Sequence, residues 1–226
     1  MTRPASAKPS VRVALIGFGY WGPNYARVLH ELPQVDLKVI CDRSADRLNL
    51  VRQRYRTVGT CATVEEVFAR DDVDAMVIAT PASTHASLVR AALERDLHVL
   101  VEKPMALDTE GGAALCRLAE SSGRVLMVGY TFLYNGGVRK MKECMRPDQF
   151  GRPYYLHATR TNLGPIRQDV NAVGTWRRTT SRSSISCSMN SRCGRRRSAR
   201  GCCGPLATTS PSPRWATAAT WWAIST

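Results

Sequence analysis

No uninterrupted apolar run approaches the ~18 residues that a membrane span requires. The opening MTRPASAKPSVR also lacks the apolar centre of a secretory signal. Together these absences lead to the expectation of a cytoplasmic protein with reduced thiols and no membrane partner. The eight cysteines form no paired C-x-x-C pattern, and CGRRRSARGCC has the wrong spacing for zinc, so no metal is expected. Residues 174–226 contain no Asp, Glu or Lys. They hold nine arginines and so account for +9 of the +14 net charge, which means the basic balance says little about partners of the preceding body. Arginines with Trp215, Trp221 and Trp222 can bind single-stranded nucleic acid. An accidental basic tail accounts for the same composition, and no nucleic-acid partner is expected.

What is present before residue 174 is an alternation of short apolar runs and amphipathic stretches. VRVALI (11–16), DLKVICD (36–42), DAMVIAT (74–80), HVLVEKP (98–104) and RVLMVGY (124–130) read as buried parallel strands. Between them, PNYARVLHEL, SADRLNLVRQRY, STHASLVRAALERD and TEGGAALCRLAESSG carry helical spacing. Ser44 is a candidate cap for the second helix and Gly123 a candidate terminator of the fourth; Leu88, Ala91 and Ala92 are expected to form the third helix's apolar side. The implied class is α/β, a doubly wound parallel sheet covered on both faces by helices. A helix over 134–145 and an extended run over 151–162 then suggest the start of a second domain. The expected organisation is a Rossmann domain over 10–130, the beginning of a second α/β domain over 131–173, and an aberrant tail over 174–226.

Gly17-Phe18-Gly19-Tyr20-Trp21-Gly22 fits G-x-G-x-x-G between a strand and a helix, and Asp42 stands 20 residues beyond Gly22 at the next strand's end. Gly17 would permit the tight turn, Gly19 would let backbone approach a pyrophosphate, and Gly22 would let helix pack near strand. Free amides and the positive dipole end of the helix suit phosphate. Asp42 can accept ribose hydroxyls and repels a 2′-phosphate, which favours NAD over NADP. Arg43, its neighbour, can instead contact that phosphate or stack on adenine.

VALIGFGYWGPNYARVL, VIATPASTHASLVRAALERDLHVLVEKPMAL and VLMVGYTFLYNGGVRKMKE together resemble the Gfo/Idh/MocA oxidoreductases over roughly residues 10–173. GYWGPN and FLYN are similar to members acting on sugars or nucleotide-linked sugars. The resemblance implies an NAD(P)-binding domain, a C-terminal domain with an open antiparallel sheet, and homo-oligomers. It also implies reversible hydride transfer between nicotinamide and a sugar or polyol carbon. By motif, Thr80, Pro81 and His85 would line the ribose and nicotinamide, and Glu102 and Lys103 would sit beside the reacting carbon. Lys103 is the expected catalytic residue, because an ammonium there can stabilise oxyanion character as hydride leaves. Asn135 and Arg160 are candidate substrate contacts. Plainer roles stay open for three of these: His85 as a loop anchor, Lys103 as a surface lysine, and Arg160 as a strand-surface partner. A non-catalytic NAD(P)-binding remnant is the alternative to an enzyme.

In that family the segment after such a stretch usually looks like WDLAPHDISI. Written in GC-rich codons and read one base later, that peptide becomes GTWRRTTSRS, which is residues 174–183 here. Loss of one T after the Val173 codon would produce it. On this reading the tail is an out-of-frame translation, never patterned for burial and expected to make few cooperative contacts. The family's acid–base histidine codon would straddle Arg178 and Thr179, and no histidine follows His157.

Overall fold

The structure, a computed structural model, describes residues 10–145. One compact unit runs to Gly129 and a second begins at Tyr130. The extended run over 151–162, Arg160, and the tail after Val173 lie outside the described residues.

In the first unit, six parallel strands form one sheet: β1 (Val11–Ile16), β2 (Val35–Cys41), β3 (Gly59–Cys61), β4 (Ala75–Ile78), β5 (His98–Val101) and β6 (Leu126–Val128). Their spatial order is β3-β2-β1-β4-β5-β6, and each neighbouring pair is parallel. This is the doubly wound order, in which the winding reverses between β1 and β4 and opens a crevice beyond their carboxyl ends. The connections are helical: α1 (Gly22–Glu31), α2 (Ala45–Arg54), α3 (Val64–Phe68), α4 (His85–Leu93) and α5 (Thr109–Ser122).

Successive side chains of a strand point to opposite faces, and here both faces are buried. Ala14, Ile16, Met76, Ile78, Val99 and Val101 share one core cluster with Val89, Ala92 and Leu93 of α4 and Leu115 and Ala119 of α5. The alternate residues Val13, Leu15, Val77 and Leu100 are equally buried outside that cluster, and α1 and α2 contribute none of their buried residues to it. Two-sided burial is why the strands read as continuous apolar runs rather than alternating ones.

Local chemistry fixes the ends of the helices. The Ser44 hydroxyl accepts the Arg47 amide of α2, and Asp108 accepts the Gly111 amide of α5. Gly123 ends α5 at φ +64° in the left-handed region. The apolar side of α4 differs from the sequence expectation: His85, Val89, Ala92 and Leu93 are buried, whereas Leu88 and Ala91 are half-buried flanks.

β3 and α3 are additions to the expected pattern. β3 has three residues, too few for any periodicity, and exists because its backbone pairs with Val39–Cys41 of β2. α3 did carry a signal. The Thr63 hydroxyl accepts the Glu66 amide while the Glu66 carboxylate accepts the Thr63 amide, the reciprocal capping box of a T-x-x-E sequence.

In the second unit, a 3-10 turn (Thr131–Tyr134) leads into α6 (Gly136–Cys144), capped by the Asn135 side chain accepting the Val138 amide at 3.2 Å. Among the described residues Cys41 and Cys61 are free and buried, Cys116 and Cys144 free and exposed. No helix among them is long and apolar enough to cross a membrane, and no group of three metal-ligating side chains occurs.

Candidate functional site

The glycine turn lies where the strand order reverses. Gly17 follows β1 with φ +94°, a conformation that disfavours any side chain, and a Cβ there would come within 2.8 Å of the Ala79 carbonyl group just past β4. At Gly22, the first residue of α1, a Cβ would collide with the Gly17 carbonyl oxygen. These two positions must be glycine for the strand, turn and helix to close together. Gly19 differs, because a Cβ there would meet only the Arg47 guanidinium, at 3.7 Å. Its bareness serves whatever approaches from outside, since nothing within the fold requires it.

The first turn of α1 has no side-chain cap, no acid, and Pro23 at its start. α4, which follows β4, also begins without a side-chain cap, whereas α2, α3, α5 and α6 are capped by Ser44, Thr63, Asp108 and Asn135. The two uncapped helices are those that follow the two strands of the switch point. Pro23 has no amide hydrogen, the Asn24 amide donates to the Trp21 carbonyl at 3.1 Å, and the His85 amide of α4 donates to the Ala82 carbonyl, which leaves the Gly22 amide at the start of α1 for a ligand or solvent.

Asp42 closes the turn from the side. It is 9% exposed; Oδ2 accepts the Phe18 amide at 2.7 Å and Oδ1 the Ser44 amide at 2.9 Å. Arg47 approaches Oδ2 at 3.4 Å. A carboxylate offers about four acceptor sites, so three donors leave room for one more. Phe18, expected among the cofactor contacts, is instead turned inward: its ring is buried and its amide is taken by Asp42. Tyr20 and Trp21 project from the turn, 77% and 40% exposed, in an edge-to-face pair 6.2 Å apart. Arg43 is exposed and has no side-chain hydrogen bond among the described residues, whereas Arg47, which the sequence reading passed over, stands across Gly19 and Asp42. The register of α2, set by the Ser44 cap, was the available signal for it.

Beyond β4 and β5 the site residues are joined by side chains. His85 is 1% exposed; Nε2 lies 2.8 Å from the Thr80 carbonyl and Nδ1 2.7 Å from the Pro104 carbonyl. It therefore ties the loop after β4 to the loop after β5. Expected to line the ribose and nicotinamide or to anchor a loop, it has its ring buried between two main-chain carbonyls, to one of which a neutral imidazole can donate. The Thr84 hydroxyl lies 2.7 Å from Thr80 Oγ1 and 2.8 Å from the Pro81 carbonyl, which holds Thr80 and Pro81 at the crevice side of the turn.

Glu102, expected beside the reacting carbon, is 7% exposed and turned into the protein. Its Oε1 accepts the Tyr25 hydroxyl at 2.6 Å and its Oε2 accepts the Lys103 amide at 3.2 Å. Burial first, then the charge of Glu102, raise the Tyr25 phenol far above its ordinary value, so Tyr25 keeps its proton and donates. Lys103 is half-buried at the strand end. Asn135 caps α6, and that cap is the contact the structure gives it.

An open parallel sheet with a compulsory glycine turn, uncapped helix starts and a buried acid at its switch point is a dinucleotide-binding domain. The residues fit such a ligand: Gly19 and the Gly22 amide at the start of α1 are open to a pyrophosphate, and Asp42 retains an acceptor position. Residues 11–130 match the family described as the oxidoreductase family with an NAD-binding Rossmann fold, and the chain belongs to this Gfo/Idh/MocA family. UDP-N-acetylglucosamine 3-dehydrogenase of Acidithiobacillus ferrooxidans is 31% identical over 157 residues, 70% of this chain and 47% of that protein. D-xylose 1-dehydrogenase (NADP(+)) of Haloarcula marismortui is 31% identical over 176 residues, 74% of this chain and 47% of that one. Among solved structures, GenD2 from gentamicin A biosynthesis in complex with NAD superposes with TM-score 0.59 at 31% identity, covering 64% of this chain and 41% of that chain. The chain spans roughly half the length of the curated relatives it matches.

Proposed function

We propose that this chain is the cofactor-binding part of an NAD(P)-dependent oxidoreductase acting on a hydroxyl-bearing carbon of a sugar, polyol or nucleotide-linked sugar. The observation that carries the reading is the turn at Gly17–Gly22, where two side chains are sterically forbidden and the Gly22 amide at the start of an uncapped helix remains available. The relatives' names, a nucleotide-sugar dehydrogenase and a xylose dehydrogenase, support the substrate class. When bound, a nicotinamide supplies the hydride acceptor or donor. The chain's own groups do the rest. The glycine turn and the amino end of α1 would hold the pyrophosphate, and Asp42 would accept a ribose hydroxyl. Thr80 and Pro81 border the nicotinamide side. In the direction of carbonyl reduction, the Lys103 ammonium would bond the substrate oxygen, stabilise the negative charge that develops there as the carbon gains hydride, and supply the proton that makes it a hydroxyl; oxidation runs the same transfers in reverse.

NAD is the favoured cofactor because Asp42 presents a buried carboxylate at the end of β2; NADP is the alternative, served by Arg43 and Arg47. The substrate contact assigned to Arg160 and the out-of-frame origin of residues 174–226 belong to this proposal as well. Titrating NADH into the chain and following nicotinamide fluorescence tests the first half, and absence of saturable binding would reject it. Restoring one T after the Val173 codon and assaying a panel of sugars, polyols and nucleotide sugars tests the second. A repaired protein that reduces NAD with none of them counts against the oxidoreductase reading.

A further inference from the structure

The bond between Tyr25 and Glu102 joins parts of the sheet that chain connectivity keeps far apart. Tyr25 sits in the first turns of α1, the helix that opens with the glycine turn. Glu102 directly follows β5, two strands away from β1 in the order β1-β4-β5, and immediately precedes Lys103. The hydroxyl–carboxylate distance is 2.6 Å, both groups are buried, and the partners are 77 positions apart in sequence. The second carboxylate oxygen accepts the Lys103 amide. Room for the pair is made by Gly129, just past β6: a Cβ there would stand 3.0 Å from both Glu102 Oε1 and the Tyr25 hydroxyl. Gly129 is itself fixed by its amide donating to the Val101 carbonyl at 2.9 Å. Three elements, α1, β5 and the segment after β6, thus converge on one buried carboxylate whose other oxygen grips the Lys103 main chain.

We infer that Tyr25 and Glu102 are positioning residues: they lock the strand end bearing Lys103 to the phosphate-holding helix, and so set the span between the two ends of the dinucleotide site. This rests on the cofactor reading above. The physical reason is the cost of an unsatisfied buried carboxylate. Without the Tyr25 hydroxyl, Glu102 keeps one neutral donor and is driven toward solvent, which releases the Lys103 amide. The glycine turn and the start of α1, held by Asp42, are not disturbed.

The test compares two ligands on the chain as it exists. NADH spans the whole site, whereas ADP-ribose lacks the nicotinamide. Tyr25→Phe keeps shape and removes one oxygen. It is expected to weaken NADH by about tenfold, the effect of losing one hydrogen bond to a charged group, while ADP-ribose affinity stays within about twofold. The fluorescence enhancement of bound NADH should fall with it. Glu102→Gln retains an acceptor for Tyr25 and loses only the Lys103 amide, so it should lie between wild type and Tyr25→Phe. Gly129→Ala crowds the pair without altering its chemistry and should reproduce the selective loss of NADH. Equal weakening of both ligands in Tyr25→Phe, or unchanged NADH binding, overturns the inference. If the wild-type chain binds ADP-ribose and NADH not at all, the cofactor reading itself is overturned and the inference with it.

Discussion

The two halves of the sheet build their share of the site by different means. Around β1, β2 and β3, what matters is missing atoms and main-chain groups: absent side chains at Gly17, Gly19 and Gly22, an uncapped start of α1, and one carboxylate that holds the turn. Around β4, β5 and β6, the site is fixed by side chains: His85 between two carbonyls, Thr84 with Thr80 and Pro81, and Glu102 reaching across to Tyr25 of α1. The first half is a steric solution, tolerant of nothing larger than hydrogen at two positions. The second is a hydrogen-bonded solution, in which a substitution can keep the fold and shift the geometry.

Substitutions that break each half separately should therefore fail differently. The largest expected effect is on chemistry: Lys103→Ala should lower hydride transfer by roughly 10²–10⁴-fold, the usual contribution of a positioned general acid–base group. It should leave NADH binding within a few-fold, measured by steady-state rates beside a fluorescence titration. In the steric half, Gly22→Ala forces a methyl into the Gly17 carbonyl. It should cost about 3 kcal/mol or more of stability and abolish measurable NADH binding, as read by denaturant unfolding and titration. In the hydrogen-bonded half, His85→Ala leaves one carbonyl without its donor and a cavity between loops. It should cost about 2–4 kcal/mol, with binding recovered at saturating NADH if the glycine turn is intact. A His85→Ala protein as stable as wild type would remove the loop-anchor role.

The smallest effect sharpens the comparison at the edge of the second half. His98 on β5 accepts the Val125 amide on its Nδ1 at 3.0 Å. Burial and then the charge of Arg124 depress its pKa, with Asp74 opposing. The folded protein resists protonating it, so below about pH 6.5 the unfolded chain takes up the extra proton first and stability falls as pH drops. His98→Gln should flatten the decline in thermal midpoint between about pH 6.5 and 5. An unchanged slope would place the acid sensitivity elsewhere.

Legibility in the sequence followed the range of the interactions. Gly17, Gly22 and Asp42 were readable because strand, turn and helix are contiguous and the acid lies at a fixed spacing. The helix cap at Ser44 and the terminator at Gly123 were readable for the same reason, and the Thr63–Glu66 capping box of α3 could have been. Phe18 was assigned to the cofactor because it lies inside the motif, yet its amide belongs to Asp42, a bond between residues 24 apart. His85 and Glu102 were placed at the cofactor because their motifs stand at strand ends. A strand end, however, fixes where a residue is and not which way its side chain turns. Tyr25 carried no motif, since it gains meaning only from a partner in another element.

The amino-acid order by itself determined the sheet, its winding and the position of the phosphate turn, because those follow from apolar runs buried on both faces and from glycines whose hydrogen cannot be replaced. Tertiary structure alone decided that Glu102 faces Tyr25 and that His85 bridges two loops, because a buried polar group takes its partner from whatever the packing of distant segments brings within about 3 Å.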